Sequence, residues 1–321
     1  MKQKQILIKQ SAAVLFLHTA IATAIAAEPT EYEQYMLELI NRARQNPDAE
    51  VARLNTGSLN EGPPTLGRES WTIMPGARQP IAFNPHLIEA ARNYATLLND
   101  NDVFRRTYGG TDTKSRMTTA GYTPGPYQPS VYGSTASGYV PGRENLSRAR
   151  EWPSNGYTNS EMKTQVDNAH KSLFNDFDTA SRGHRSTMMY SQWREIGIGI
   201  SIGTDIINRK KWDSIYIAYD VAAQAGNPFL TGVVYKDTDD DEFYTPASGE
   251  ALGGWKVEAF VAGTKTSAGS TTTFASGGYS LQLPTGTYEV FLSGPNSTIS
   301  QSNVDFTGGE NVKLDFIFHR H

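Results

Sequence analysis

Cysteine is absent from all 321 residues. That excludes disulfides, a cysteine nucleophile and lipid attachment through a thiol. Two signatures of hydrolytic chemistry, Gly-x-Ser-x-Gly and His-Glu-x-x-His, are also missing. There is no basic surplus, since 29 lysines and arginines stand against 33 acids, so nothing resembles a nucleic-acid surface. The apolar run from Ser11 to Ala24 is too short for a stable membrane span.

What is present begins with an export pattern. Lys2, Lys4 and Lys9 form a basic head, the apolar run follows, and Ala24-Ile-Ala26 offers the small-x-small pattern of a signal peptidase site. Residues 1–27 therefore read as a signal peptide, and about 295 residues remain, enough for two domains. Removing the three lysines moves the net charge from −4 to about −7. From Gly226 onward five basic residues meet eleven acidic ones, whereas the part before it is nearly balanced. Export without disulfides suits a bacterial protein that is periplasmic, surface-borne or extracellular.

The first helix is marked by a Thr30-x-x-Glu33 capping box and a Met36, Leu39, Ile40, Ala43 stripe. Asn46-Pro47 ends it, and Asp48 to Leu54 reads as a second helix stopped by Gly57. Asn84-Pro85 opens another helix with Leu87, Ile88, Ala91, Ala95 and Leu98 on one face, and a further helix spans Ser160 to Phe177. Ile196, Ile198, Ile200 and Ile202 alternate with Gly or Ser, the mark of a half-buried strand, and a second strand at Ser214–Val221 pairs with it as a hairpin. Helices before and after a small antiparallel sheet predict an α+β fold, an α–β–α sandwich. Between Arg106 and Asn159 lies a long Gly-, Ser-, Thr- and Pro-rich segment carrying Tyr108, Tyr122, Tyr127, Tyr132, Tyr139, Trp152 and Tyr157. Such aromatics either stack on sugars and peptides or pin the loop to the domain.

Five short motifs in order resemble the CAP superfamily of SCP-like extracellular domains. They are Glu33-x-x-x-Leu-x-x-Ile-Asn-x-x-Arg44, Arg116-Met-x-x-Ala-Gly-Tyr122, Gly142-Arg-Glu-Asn145, Gly183-His-Arg-x-x-Met-Met and Glu195-Ile-Gly-Ile-Gly. The resemblance runs from about Tyr32 to Ala222 and implies a CAP-type α–β–α sandwich over residues 28–225. It further implies a cavity that in many members gathers two His and two Glu and in some binds a divalent metal. His184 matches the second cavity histidine and Glu144 one carboxylate, while the place of the first histidine is taken by Arg106, which cannot ligate a metal. His170, on the buried face of its helix, is the candidate to complete the cleft; the more common outcome for such a residue is a core histidine bonded to a neighbour such as Asp176 or to backbone. The expected ligand cleft is thus Arg106, Glu144, His170 and His184, with Glu144, His184 and His170 as the only candidates for acid–base catalysis.

Residues 226–321 alternate short apolar runs with Gly, Pro and Asn turns, which predicts an all-β sandwich of about seven strands. Gly278-Tyr-Ser-Leu, Pro284-x-Gly-x-Tyr288 and Asn311-Val-x-Leu resemble SdrD B-like and prealbumin-like domains of bacterial surface proteins. The loop Asp237-Thr-Asp239-Asp-Asp241-Glu-Phe243, with Glu250 beyond it, offers Asp237, Asp239, Asp241, the Phe243 carbonyl and Glu250 to calcium. Glu250 stands at position 14 and Glu242 replaces the usual Gly, so the loop is not an EF-hand. The resulting expectation is a secreted protein that holds a small apolar, lipid-like or glycan ligand, or a cell-envelope partner, beside a calcium-stiffened accessory domain. A hydrolase using His184 and Glu144, with or without a divalent metal in the cleft, and a passive adhesion module are the other two readings.

Overall fold

The computed structural model describes residues 26–60, 73–125, 142–177, 182–295 and 297–319. Residues 1–25 of the expected signal peptide, with Tyr127, Tyr132 and Tyr139 of the aromatic loop, lie outside the described residues. Helix α1 (Glu31–Gln45) carries the expected capping box, with Thr30 N donating to Glu33 Oε2 at 2.8 Å. Its apolar stripe is buried. Helix α2 (Pro47–Leu54) ends at Asn55 in the left-handed conformation, ahead of the expected stop at Gly57. Helix α3 (Pro85–Asp100) starts on the Asn84 side chain, which accepts from the amides of His86 and Leu87. Short α4 (Thr113–Thr119) and α6 (Gly183–Met188) flank the longer α5 (Asn159–Asn175).

One sheet organises these helices. Strands β1 (Ala82–Phe83), β2 (Gly142–Glu151), β3 (Glu195–Ile207) and β4 (Lys210–Ala222) lie in the order β1-β3-β4-β2, so β2 is an edge. The β3–β4 hairpin runs in unbroken antiparallel register from Glu195↔Ala222 to Ile207↔Lys210, longer than the alternation alone predicted. Side chains alternate between the two faces of the sheet. Ile196, Ile198, Ile215, Ile217, Tyr219 and Val221 share a core with α1, α5 and α6. On the opposite face Tyr216, Ala218 and Leu146 meet α3, and Ala222 meets Met117 of α4. The helices thus form a layer on each side of the sheet.

Glycines set how near α3 sits. A methyl group at Gly197 would lie 1.8 Å from the Leu87 carbonyl carbon, and one at Gly199 would lie 2.3 Å from the Arg92 nitrogen. Backbone therefore packs on backbone, and the alternation of Ile with Gly in β3 is a packing code with a different meaning for each face. Two arginines buried to 0% exposure fasten the loops at the other face. Arg44 donates to the carbonyls of Gln79, Met188 and Tyr190, and Arg185 to those of Leu59, Ser58, Phe174 and Asn175.

The chain beyond Gly226 makes β5 (Phe229–Lys236), β6 (Lys256–Val261), β7 (Ser267–Thr272), β8 (Gly278–Gln282), β9 (Thr287–Gly294), β10 (Ser297–Asp305), β11 (Val312–Lys313) and β12 (Phe316–Phe318). They form a β10-β9-β6-β7 sheet and a second one in which β11, β12 and β8 all pair with β5, the two enclosing a common core that includes Leu230, Val234, Val257, Val290 and Leu292. Strand β10 escapes sequence reading because all but one of its residues are exposed. This unit is docked on the first: Val233, Tyr235 and Tyr244 join the α1 core, and Lys313 Nζ meets Glu38 Oε2 at 2.8 Å. Asn311 Nδ2 donates to the carbonyls of Pro80 and Arg194.

Gly197→Ala should cost about 3 kcal/mol or more, because both the strand and α3 present backbone that cannot rotate away. Gly308→Ala, with nothing within 4 Å of an added methyl, should stay within about 0.5 kcal/mol of the parent. Urea denaturation midpoints of the two variants check this; equal stabilities would refute the close-packing argument.

Candidate functional site

The edge of β2 borders a cleft of about 710 Å³, in the size range of small-molecule sites. Phe104, Arg105 and Arg106 reach it from the loop after α3, Arg148 from β2, Lys171 from α5, and His184 from α6. On α5 the polar cleft-lining positions are Asn168, Lys171, Ser172 and Asn175, spaced by three, one and three, and Leu173 adds an apolar one. Helix α5 ends where Asp176 takes the left-handed conformation, at φ 51°, and turns its carboxylate back onto α6. Asp176 Oδ2 accepts from the His184 amide at 2.8 Å, and Oδ1 lies 2.7 Å from His184 Nδ1. One buried carboxylate therefore both caps α6 and fixes the imidazole. The ring is 26% exposed, and with Nδ1 committed, Nε2 is the nitrogen left for the cleft.

The four residues expected to meet do not all do so. Arg106 and His184 line the cleft together. Glu144 is buried on the other side of β2, because consecutive strand residues face opposite ways. Glu144 turns to Arg116 of α4, whereas Asn145 turns to α6 and donates to the His184 carbonyl at 2.9 Å. Arg106 reaches only the backbone oxygen of Glu144, at 3.3 Å. His170 is also displaced, since its position on α5 points into the core between the helices. Its Nε2 lies 2.8 Å from Glu50 Oε1, and Arg42 grips the same carboxylate through two bonds of 2.9 and 3.0 Å. Burial, opposed by Glu50, lowers the His170 pKa and keeps the ring neutral; against burial, His170 and Arg42 hold Glu50 down at about 2. His170 is a core histidine, with Glu50 rather than Asp176 as the partner of its Nε2 and with Nδ1 buried without a hydrogen bond among the described residues, and the Glu144–His184 acid–base pair is not assembled.

Glu144 belongs to a buried cluster that the motifs did not reveal. Asp220 is its cross-strand partner, and both Asp220 oxygens and Glu144 Oε1 are buried without a hydrogen bond among the described residues. Arg116, stacked 3.4 Å over the Tyr94 ring, is the cation serving both carboxylates. Burial raises Glu144 to about 7 against the pull of Arg116 and Arg106, and burial together with Glu144 raises Asp220 well above the carboxylate range. Folded-state pKa values above the unfolded ones mean that the native protein binds more protons, so stability falls as pH rises through this window.

The acidic loop after β5 brings Asp237, Asp239 and Glu250 together, one carboxylate oxygen of each lying within 4.8 Å of the others. Asp237 and Glu250 are fully buried and also accept backbone amides, from Asp240 and Glu242 and from Thr238 and Thr245. Asp241 instead accepts the Phe243 amide at 2.8 Å, and the Phe243 ring packs edge-on against Tyr35. The carboxylates that converge are thus Asp237, Asp239 and Glu250, without Asp241. Among the described residues no helix is long and apolar enough to cross a membrane.

Asp220→Asn should flatten the loss of thermal stability between about pH 5 and pH 8, because the amide stays neutral and can donate to Glu144 Oε1. Melting temperatures across that range test this, and an equal destabilisation at every pH would contradict it.

No protein-family model matches the chain, and no curated protein matches it. Among solved structures it is similar to an outer surface protein from Borrelia burgdorferi, at 14% identity over 61% of this chain and 96% of that one, with a TM-score of 0.31. It is also similar to BmVAL-1, at 14% identity over 62% and 81% with a TM-score of 0.32. For Na-ASP-1 the identity is 10% over 67% and 43%, with a TM-score of 0.30. All three are CAP/SCP-like proteins, and overlaps this low carry no argument about what this chain does.

Proposed function

We propose that this chain is an exported, CAP-like binding protein whose cleft along the β2 edge holds a small ligand. The observation that carries this reading is a cleft of about 710 Å³ lined by both exposed aromatic and cationic side chains, with His184 held in place by buried Asp176. Phe104 and Phe177 are 43% and 68% exposed, so they offer apolar surface to a ligand body. The five ordered motifs and the export-type N-terminus support the same reading. The ligand is small, lipid-like or glycan-like, or a protruding group of a cell-envelope partner.

A second reading is favoured by one observation, the Asp176–His184 pair. A carboxylate that orients an imidazole is what a general base needs, and this pair replaces Glu144 as the partner of His184. The hydrolase reading therefore uses His184 and Asp176, without Glu144 or His170.

In the C-terminal unit, calcium is proposed for Asp237, Asp239 and Glu250, in keeping with the SdrD B-like pattern. The donors fit, being hard oxygens, and burial with neighbouring Asp239 raises Glu250, as expected of a site that a cation would relieve. The ion would tie the loop ends and take no part in chemistry at the cleft.

Native mass spectrometry of protein recovered from an exporting host tests the binding reading. The expected result is a retained organic mass that survives chelation; bare protein at every condition would overturn it. If the hydrolase reading holds instead, His184→Ala abolishes ester or amide hydrolysis with folding unchanged. Millimolar calcium should stabilise the protein by about 1–2 kcal/mol for a weak extracellular site, and Glu250→Gln should remove that gain in thermal melts.

A further inference from the structure

The cleft has more positive charge than its own acids can balance. Its one acid among the described lining residues, Asp176, is committed to His184. Arg148 is also committed, lying 3.8 Å from Asp102 and stacked 5.0 Å over the Phe104 ring. Arg105, Arg106 and Lys171 remain. Among the described residues none of the three has an acidic partner in hydrogen-bond range, and the Arg106 guanidinium donates to a backbone carbonyl. All three are exposed, yet they converge on a concavity and not on a flat face, where their fields add.

We infer that the ligand of this cleft carries a phosphate-type dianionic group, bound by Arg105, Arg106 and Lys171, with its body along Phe104 and Phe177. This rests on the binding reading above and names its ligand class. Two guanidinium forks match the spacing of tetrahedral oxyanion oxygens, and a lysine adds a point charge. A single carboxylate would leave this cluster undercompensated, whereas a dianion offsets most of it. Arg106 also sets the sign of the preferred ligand: permanently charged and without a lone pair to give, it repels a metal ion and attracts an anion.

The test is titration calorimetry with inorganic phosphate, paired with sedimentation of phosphatidylcholine vesicles with and without phosphatidic acid. The parent is compared with Arg105→Gln/Lys171→Gln, and with Lys265→Gln on the distant β6–β7 turn as control. Both changed cleft residues are exposed, and circular dichroism confirms folding. Phosphate should bind the parent and the control alike, and the double variant at least roughly tenfold more weakly. Sedimentation with phosphatidic acid vesicles, lost in the double variant, would assign the phosphate to a lipid headgroup; phosphate binding without sedimentation would assign it to a soluble phosphoester. Phosphate and vesicle binding that are both absent, or unchanged in the double variant, would overturn the inference. If that occurs while native mass spectrometry still shows a retained organic mass, the binding reading stands and only the anionic class falls. If no mass is retained either, both fall.

Discussion

The structure depends on how closely α3 lies against the sheet. At Gly197 and Gly199 the strand has no side chain on that face, and the backbone of α3 fills the space a methyl group would need. This contact sets the depth of the helix, and the depth sets where its end releases the chain. Phe104, Arg105 and Arg106 leave α3 beside the open edge of β2 and face α5 across it. The cleft is therefore a consequence of sheet order. An edge strand with helices on both faces leaves a gap, and the residues that reach the gap come from the ends of elements.

Charge is handled in two opposite ways around this frame. Inside, Arg44 and Arg185 direct their donors to backbone carbonyls, and Glu50 accepts from Arg42 and pairs with His170 Nε2. Such buried networks order loops and favour one arrangement of the chain. The Glu144–Asp220–Arg116 cluster stands apart, with two carboxylates for one arginine and three carboxylate oxygens without a hydrogen bond among the described residues. At the cleft the imbalance has the other sign, since arginines and a lysine gather where, among the described residues, one acid lines the wall and is already engaged.

Much of the frame was legible in the sequence because local signals agreed. The Thr30 capping box, the apolar stripe of α1 and the Asn84-Pro85 start of α3 each name an element through backbone chemistry that tertiary contacts only reinforce. Strand β2 was not legible: its Arg143, Glu144, Arg148 and Arg150 read as loop, and an edge strand needs few apolar residues to hold its place. Missing that strand hid its pleat. Once Glu144 and Asn145 are consecutive strand residues, period two sends them to opposite faces, and the separation of Glu144 from His184 follows. Asp176 was noticed only as a neighbour for His170, because nothing in a linear motif shows that a left-handed residue at a helix end will fold its carboxylate onto the next helix. Arg105 and Lys171 lie 66 positions apart, and only the fold brings them to one cleft.

The most direct test of the cleft as an anion-binding site is an anomalous-difference map from a crystal of the protein soaked in tungstate, a tetrahedral dianion that scatters strongly. A cleft shaped by Arg105, Arg106 and Lys171 predicts a peak within hydrogen-bond reach of these side chains, away from lattice contacts. Peaks only at other surface arginines and lysines, with the cleft clear, would contradict it.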